Sequence, residues 1–266
     1  MEQWGTFKKM ISVENKSEVI EHYREQHEFL NLCLKQCEFV ALREALIRIL
    51  PDYYVDPQSI AGTLARLGKV AAAQKLLTKI PQVKKIRSGD LGEVLATDYI
   101  EESTNYTVPI RKLRWRDHRN MAMRGDDVIG IIVDQQAQTI RFLKAEAKAN
   151  KALSRKVLQE ARAELDLDEG LPAPHALEFV AERLRETGNQ PLADLIEKVQ
   201  LVDGIRTNQV SHLLFTFTAS NPGTLQREAF TNYSGDIQQT SVGFRVVNHQ
   251  QLIEGVYQGV IGGLDN

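Results

Sequence analysis

Several features that define whole classes of protein are scarce or missing in this sequence of 266 residues. No run of apolar residues approaches the 18 that a membrane span needs, and the opening MEQWGTFKKMISVENKSEV has no signal-peptide hydrophobic segment. Only two cysteines occur, Cys33 and Cys37, which is too few for a disulfide framework or a zinc site. We therefore expect a soluble cytoplasmic protein, kept reduced, with no membrane partner.

The sequence also lacks a large net charge, because its 33 Lys and Arg nearly balance its 35 Asp and Glu and leave a formal net charge of -2. The charges are nevertheless unevenly distributed. Residues 111–124 and residues 141–156 each carry six basic side chains and one acidic one, whereas residues 160–200 carry ten acids and four bases. Each basic run could simply be a solvated face. Together they predict contacts with an anionic ligand.

Hydrophobic periodicity predicts alternating helices and strands. The predicted helices cover residues 17–50 (ended by Pro51), two shorter segments broken near Gly68 and ended by Pro81, and residues 90–103, 153–165, 176–199 and 249–263. The predicted strands cover residues 106–115, residues 211–219 and a short segment that ends in GFRVVN. Two further strands, GDDVIGIIV and TIRFLKAEAK, are predicted to form an antiparallel hairpin with DQQAQ as its turn. This order predicts an α/β fold with a mixed central sheet flanked by helices. Residues 1–85 are interpreted as a helical N-terminal region for packing or partner docking, and residues 86–266 as the main domain with a helical insertion at about 153–200.

Acidic and basic side chains meet at one end of the predicted hairpin. Alternation places Glu146 and Lys148 on one face of their strand, and Asp126 and Asp127 begin the antiparallel neighbour. Because unpaired buried charge is costly, we expect these groups to be used. Two carboxylates at one site favour Mg²⁺ or Mn²⁺, which would polarise a phosphoryl oxygen and acidify bound water.

Basic residues near this group would supply the phosphate contacts that dominate affinity for nucleic acid. The residues predicted to contact DNA are Arg114, Arg116, Arg119, Arg124, Lys144 and Lys151. The predicted chemistry is hydrolysis of a phosphodiester bond.

Asp126-Asp127, the apolar strand that follows and Glu146-Ala147-Lys148 resemble the Asp…Glu-x-Lys core of the PD-(D/E)xK nuclease superfamily. Gly125 stands near the place of that family's proline. Glu93, in the segment GDLGE, resembles the helix glutamate of many of these enzymes. The resemblance implies a restriction-endonuclease-like core. It also implies Asp127 and Glu146 as metal ligands with Asp126 as a weaker candidate, Lys148 as the catalytic lysine, and Glu93 as an outer ligand.

A narrower resemblance covers more of the chain. The order of a helical N-terminal part, a GxxGE helix, an RGDD strand and an EAK strand resembles the HamA family, the nuclease subunits of bacterial Hachiman anti-phage systems. This resemblance implies a Mg²⁺-dependent DNA-degrading effector with little sequence specificity, restrained by a helicase partner. Residues 1–80 and 160–200 would then serve as docking surface.

Structural explanations compete for the same residues. Glu146 and Lys148 could form a salt bridge at a sheet edge, and Gly-Asp sequences such as Gly125-Asp126 are common in turns. Asp90 and Glu93 have the spacing of a helix capping box. For function, the alternatives are a repair or restriction endonuclease with the same core, and a catalytically inactive module that binds nucleic acid or a partner protein.

Overall fold

A computed structural model of the chain describes residues 11–22, 25–34, 38–134, 136 and 139–265. Its strands are β1 (Ile11–His22), β2 (Glu25–Leu34), β3 (Val128–Asp134), β4 (Thr139–Asn150), β5 (Val210–Thr218) and β6 (Gln238–Arg245). They form one sheet in the order β1-β2-β6-β5-β4-β3. Strands β2, β6, β5 and β4 run parallel to one another, whereas β1 and β3 are antiparallel to their neighbours at the two edges. The mixed central sheet predicted from the sequence is confirmed.

Helices cover both faces of this sheet. They are α1 (Phe39–Tyr54), α2 (Pro57–Lys79), α3 (Lys84–Ser103), α4 (Arg155–Asp166), α5 (Pro174–Glu186), α6 (Gln190–Lys198), α7 (Gly223–Thr231) and α8 (His249–Asp265). Successive side chains of β4 point to opposite faces. Leu143, Ala145 and Ala147 therefore pack in the large core with α1, α3 and α8, whereas Phe142 packs with α5 and α6 on the other face. None of the described helices combines the length and apolar character needed to cross a bilayer.

The predicted hairpin is confirmed as β3 and β4. Their antiparallel register pairs Val128 with Ala145 and Asp134 with Thr139, and the turn between them lies partly outside the described residues. Strand β4 then pairs in parallel with β5, whose side chains are all buried. Burial on both faces is typical of a parallel strand in the middle of an α/β sheet.

The helix predicted over residues 17–50 is wrong in its first half. Residues 11–22 form β1 and residues 25–34 form β2, so the sheet begins within the region that we expected to be helical. Strand β2 pairs in parallel with β6, which is about 200 residues away along the chain, and Leu32 and Leu34 alternate into the core. Helix α1 begins only at Phe39 and continues through Pro51 to Tyr54. Residues 1–10 and Cys37 lie outside the described residues.

Other element boundaries also differ from the predictions. The strand predicted over residues 106–115 is wrong: a single bridge joins Thr107 to Ile131, and a 3₁₀-helix occupies Lys112–Trp115. The helix predicted over residues 176–199 is two helices, α5 and α6, separated at Gly188, whose φ is 86°. Helix α3 begins at Lys84, six residues earlier than predicted, and α7 was not predicted.

Helix α2 doubles back on itself at Gly68. Asp56 caps its start by accepting hydrogen bonds from two backbone amides, and Pro57 occupies its first turn. The Lys75 ammonium donates to the Ser59 hydroxyl at 2.6 Å, although 16 residues of straight helix would separate them by about 24 Å. Gly68 has a φ of 82°, which a glycine adopts without strain. The predicted break near Gly68 is confirmed as the turn of a helical hairpin.

Candidate functional site

Asp127, Glu146 and Lys148 come together at one end of the β3–β4 hairpin. Asp127 directly precedes β3 and lies opposite Glu146, because the next pair in the register is Val128 with Ala145. One Asp127 carboxylate oxygen accepts a hydrogen bond from the Ala147 amide at 2.9 Å. The Asp127 carboxylate is close enough to that of Glu146 to raise its pKa, and the Lys148 ammonium forms an ion pair with Glu146. The strand ends thus bring together the predicted group.

Glu93 joins this group through a lysine that the sequence argument did not single out. The Lys112 ammonium lies 3.7 Å from a Glu93 carboxylate oxygen and 3.8 Å from one of Asp127. It also donates to the Asp126 carbonyl at 2.9 Å. Lys112 belongs to the 3₁₀-helix that replaces the predicted strand, so the only signal in the sequence was its place in a basic run.

Burial and crowding of like charges set the electrostatics of this site. Burial raises the pKa of Glu146 to about 8, with Asp127 adding to the shift and Lys148 opposing it. Burial likewise raises the pKa of Glu93 to about 8, against the opposing charge of Lys112. Burial lowers the pKa of Lys112, but Glu93 and Asp127 outweigh it, so that the pKa lies above its usual value. Such a cluster of carboxylates favours cations.

The donor atoms fit a hard divalent cation. Within the part of the chain that the structure describes, no three His, Cys, Asp or Glu side chains are grouped closely enough to hold an ion as they stand. Mg²⁺, however, often binds through one or two carboxylates and keeps several waters. Asp127 and Glu146 supply those carboxylates from adjacent strands, and their side chains are 21% and 10% exposed. These two residues would hold the ion, and Glu93 lies beyond Asp127.

Comparison with known proteins gives the family of this chain. The sequence profile of the HamA family matches residues 5–260, nearly the whole chain. The chain belongs to the HamA family. A curated relative, the Hachiman protein HamA of Bacillus cereus, is 29% identical over 120 residues, which cover 45% of this chain and 41% of that protein. The chain thus aligns with about two fifths of that relative's length. The resemblance to the HamA family drawn from the sequence is confirmed.

In this HamA-family chain the Asp126 carboxylate is engaged by partners outside the Asp127, Glu146 and Lys148 group. One of its carboxylate oxygens accepts a hydrogen bond from the Ala173 amide at 2.8 Å, and the other lies 3.6 Å from the Lys144 ammonium. Lys144 is only 2% exposed and donates to the carbonyl oxygens of Leu167 and Leu171. The structure thus gives Lys144 a role in packing, because the turn at 167–171 covers it, and not the predicted contact with DNA.

Arg116 is likewise an internal residue. It is 4% exposed, and its guanidinium makes two hydrogen bonds to the buried Asp90 carboxylate. The Tyr54 hydroxyl donates to the same carboxylate at 2.6 Å. Asp90 lies inside α3, which begins at Lys84, so the capping box with Glu93 does not form. Burial therefore excludes the predicted DNA contact for Arg116.

The other predicted DNA contacts divide into anchored and exposed side chains. Arg114 donates to the Asp52 carbonyl at 2.7 Å, and Arg119 donates to the Leu77 carbonyl at 2.9 Å. The two guanidinium groups thus bind the basic run 111–124 to helices α1 and α2. Arg124 and Lys151 are exposed. These two side chains remain available to a ligand in solution.

A cavity of about 240 Å³ opens beside the carboxylates. Glu93 and Asp127 stand in its wall together with Arg124, and Val108, Ile129 and Phe179 give it an apolar lining. In this HamA-family protein the cavity therefore adjoins Glu93 and Asp127, whereas Glu146 and Lys148 are not part of its lining.

Proposed function

We propose that this protein is a metal-dependent nuclease that hydrolyses phosphodiester bonds of DNA with little sequence specificity. The observation that carries the proposal is the convergence of Asp127, Glu146 and Lys148 at the end of the β3–β4 hairpin. Two oxygen donors beside an ammonium group suit hydrolysis of a phosphate ester. The resemblance of these residues to the PD-(D/E)xK core supports the same reaction.

Each side chain of the site has a distinct task in this proposal. Asp127 and Glu146 hold Mg²⁺ or Mn²⁺, with Glu93 as an outer ligand. The bound ion supplies polarisation of a phosphoryl oxygen and acidification of a water molecule. The Lys148 ammonium, which pairs with Glu146, would orient the attacking water or neutralise charge that develops on the phosphate. Lys112 holds Glu93 and Asp127 in place.

We also propose that the protein acts in anti-phage defence together with a helicase subunit. Membership of the HamA family supports this proposal, because the family resemblance implies such a partner. A nuclease with little sequence specificity needs restraint in its own cell. Docking through residues 1–80 and 160–200 is part of the proposal, and exposed apolar side chains in these segments, including Leu67 and Leu167, suit such a surface.

A cleavage assay tests the proposed activity. Linear, circular and single-stranded DNA are incubated with the protein in Mg²⁺, in Mn²⁺ or in chelator. Cleavage should require the ion, and Glu146→Gln should lower its rate by at least about 100-fold, because several kcal/mol of stabilisation of the transition state are lost. Glu178→Gln, which changes an exposed carboxylate on α5, is the matched control and should cleave normally.

Wild-type cleavage by Glu146→Gln, or full cleavage in chelator, would contradict the assignment. Addition of the helicase subunit in equal amounts should suppress the cleavage seen with the isolated protein. Unchanged cleavage in that mixture would contradict the proposed restraint.

A further inference from the structure

The most uniformly basic segment of the chain lies outside the two basic runs at residues 111–124 and 141–156. Residues 57–89 contain seven Lys and Arg and no Asp or Glu. They form the α2 hairpin and the first turns of α3. No carboxylate within this stretch of 33 residues offsets its positive charges, so the segment is a source of positive potential.

Some of these cations already have internal partners. Lys75 ties the two arms of the α2 hairpin together, and Lys79 donates to the Arg116 carbonyl at 3.3 Å. Arg87 donates to the Pro81 carbonyl and lies over the Tyr257 ring. The exposed cations of the segment are Arg66, Lys69, Lys84 and Lys85. Within the described residues, none of these four takes part in an ion pair.

Lys84 and Lys85 lie near the end of β4, the strand that carries Glu146 and Lys148. Lys85, Ser88 and Gly92 have the i, i+3, i+7 spacing of one helical face. On that face the Ser88 hydroxyl donates to the Ala149 carbonyl at 3.2 Å, and Gly92 lies against the Ala149 side chain. Ala149 directly follows Lys148 in β4. The two lysines therefore lie about one helical turn, about 5 Å along the axis, from the point where α3 touches the end of that strand.

We propose that Lys84 and Lys85 bind the phosphate backbone of DNA next to the bond that is cleaved. This inference rests on the proposed nuclease function and adds to it a surface on α3. Consecutive phosphates of one strand project at about 3.4 Å intervals along the duplex, so a duplex seated at Glu146 presents several of them to the start of α3. Exposed Lys151, just beyond the end of β4, borders the same edge.

Salt-dependent binding tests this surface without cleavage. Binding of the full chain to labelled 30-base-pair duplexes of unrelated sequence is measured in chelator between 50 and 300 mM KCl. Lys84→Gln/Lys85→Gln should lower the slope of log affinity against log salt by about two, one for each lost phosphate contact, for every sequence alike. Lys198→Gln/Arg206→Gln removes two exposed charges elsewhere and should leave the slope unchanged.

The controls separate this inference from the proposed function. Thermal unfolding should be the same in both double variants, since all four side chains are exposed. A wild-type slope in Lys84→Gln/Lys85→Gln, or an equal loss in Lys198→Gln/Arg206→Gln, would overturn the proposal even if the wild type cleaves DNA. Conversely, a loss confined to the α3 variant would support the surface even if Mg²⁺-dependent cleavage failed. If a polyglutamate peptide competes as well as the duplex at equal charge, the surface is one for acidic proteins and the proposal is wrong.

Discussion

Buried cations beside the site stabilise the fold and do not face solvent. Arg116 pairs with Asp90 under helix α3, and Lys144 pairs with Asp126 on the other face of the sheet. A count of charges along the sequence cannot separate such residues from exposed ones, because both carry the same charge. Burial of an ion pair is tolerated only when the hydrogen bonds of both partners are largely satisfied.

Removal of the Arg116 charge should therefore destabilise the protein strongly. Arg116→Met keeps an apolar stem but leaves Asp90 as an uncompensated buried carboxylate, so we expect the free energy of unfolding to fall by about 3–5 kcal/mol. Asp90→Asn/Arg116→Met should recover part of this loss. Urea unfolding followed by circular dichroism measures both values, with exposed Arg124→Met as a control that should change little. A loss as small as that of the control would show that the pair contributes little.

The candidate site divides sharply into residues that the sequence predicts and residues that it does not. Glu146 and Lys148 follow from period-two alternation in one strand, and Asp127 follows from its place at the start of the neighbouring strand. Lys112 could not be predicted in this way, because its position depends on a 3₁₀-helix and on a contact with Glu93 across the chain. The local sequence pattern predicts which side chains share a face of a helix or strand. Contacts between segments that are distant along the chain can be seen only in the folded structure.

At the level of elements, strand pairing between distant segments explains the largest error in the predicted secondary structure, the helix expected over residues 17–50. The segment around Leu30, Leu32 and Leu34 fits both a helical and an alternating pattern, and helix α1 begins at Phe39. Pairing of β2 with β6 selects the strand, and no local feature of the sequence reports that pairing. The hairpin β3–β4 could be predicted because both of its strands and its turn are contiguous.

The turn at 167–171 illustrates an element held by partners from other elements. Asp168 and Glu169 have positive φ values of 56° and 58°, which are uncommon for residues other than glycine. The His212 ring accepts a hydrogen bond from Arg162 at one nitrogen and donates to the Gly170 carbonyl at the other, which requires a neutral ring. Together with Lys144, His212 fixes this turn over the sheet.

This arrangement predicts a loss of stability in mild acid. Burial lowers the pKa of His212 from 6.5 to about 4, so its stabilising effect is complete above pH 6.5 and is lost as the pH falls from 6.5 towards 4. The loss should reach about 3 kcal/mol. His212→Gln can make the same two hydrogen bonds without titrating. The difference in unfolding free energy between wild type and His212→Gln should therefore shift by about that amount between pH 7 and 4, and a constant difference would contradict the explanation.

At the scale of the whole molecule, one acid-free segment and one acidic run lie on opposite faces of the sheet. The acid-free segment 57–89 leads into α3 on one face, whereas the acidic residues 160–200 include α5 and α6 on the other. The carboxylate site lies at the edge between them, at the end of the β3–β4 hairpin. A polyanion that approached this edge would meet the acid-free segment 57–89 on one side and the acidic run 160–200 on the other.

The same carboxylates should couple metal binding to the stability of the whole fold. A ligand that binds only the folded state stabilises it by about 2.7 kcal/mol at 100 times its dissociation constant, which for a chain of this size raises the melting temperature by about 5–10 °C. We expect Mg²⁺ to raise the melting temperature of the wild type and of Glu178→Gln in this way, relative to chelator. Asp127→Asn/Glu146→Gln should show no rise, because both proposed ligands are weakened. Differential scanning calorimetry across a magnesium titration measures the effect, and an equal rise in the double variant would place the ion elsewhere on the protein.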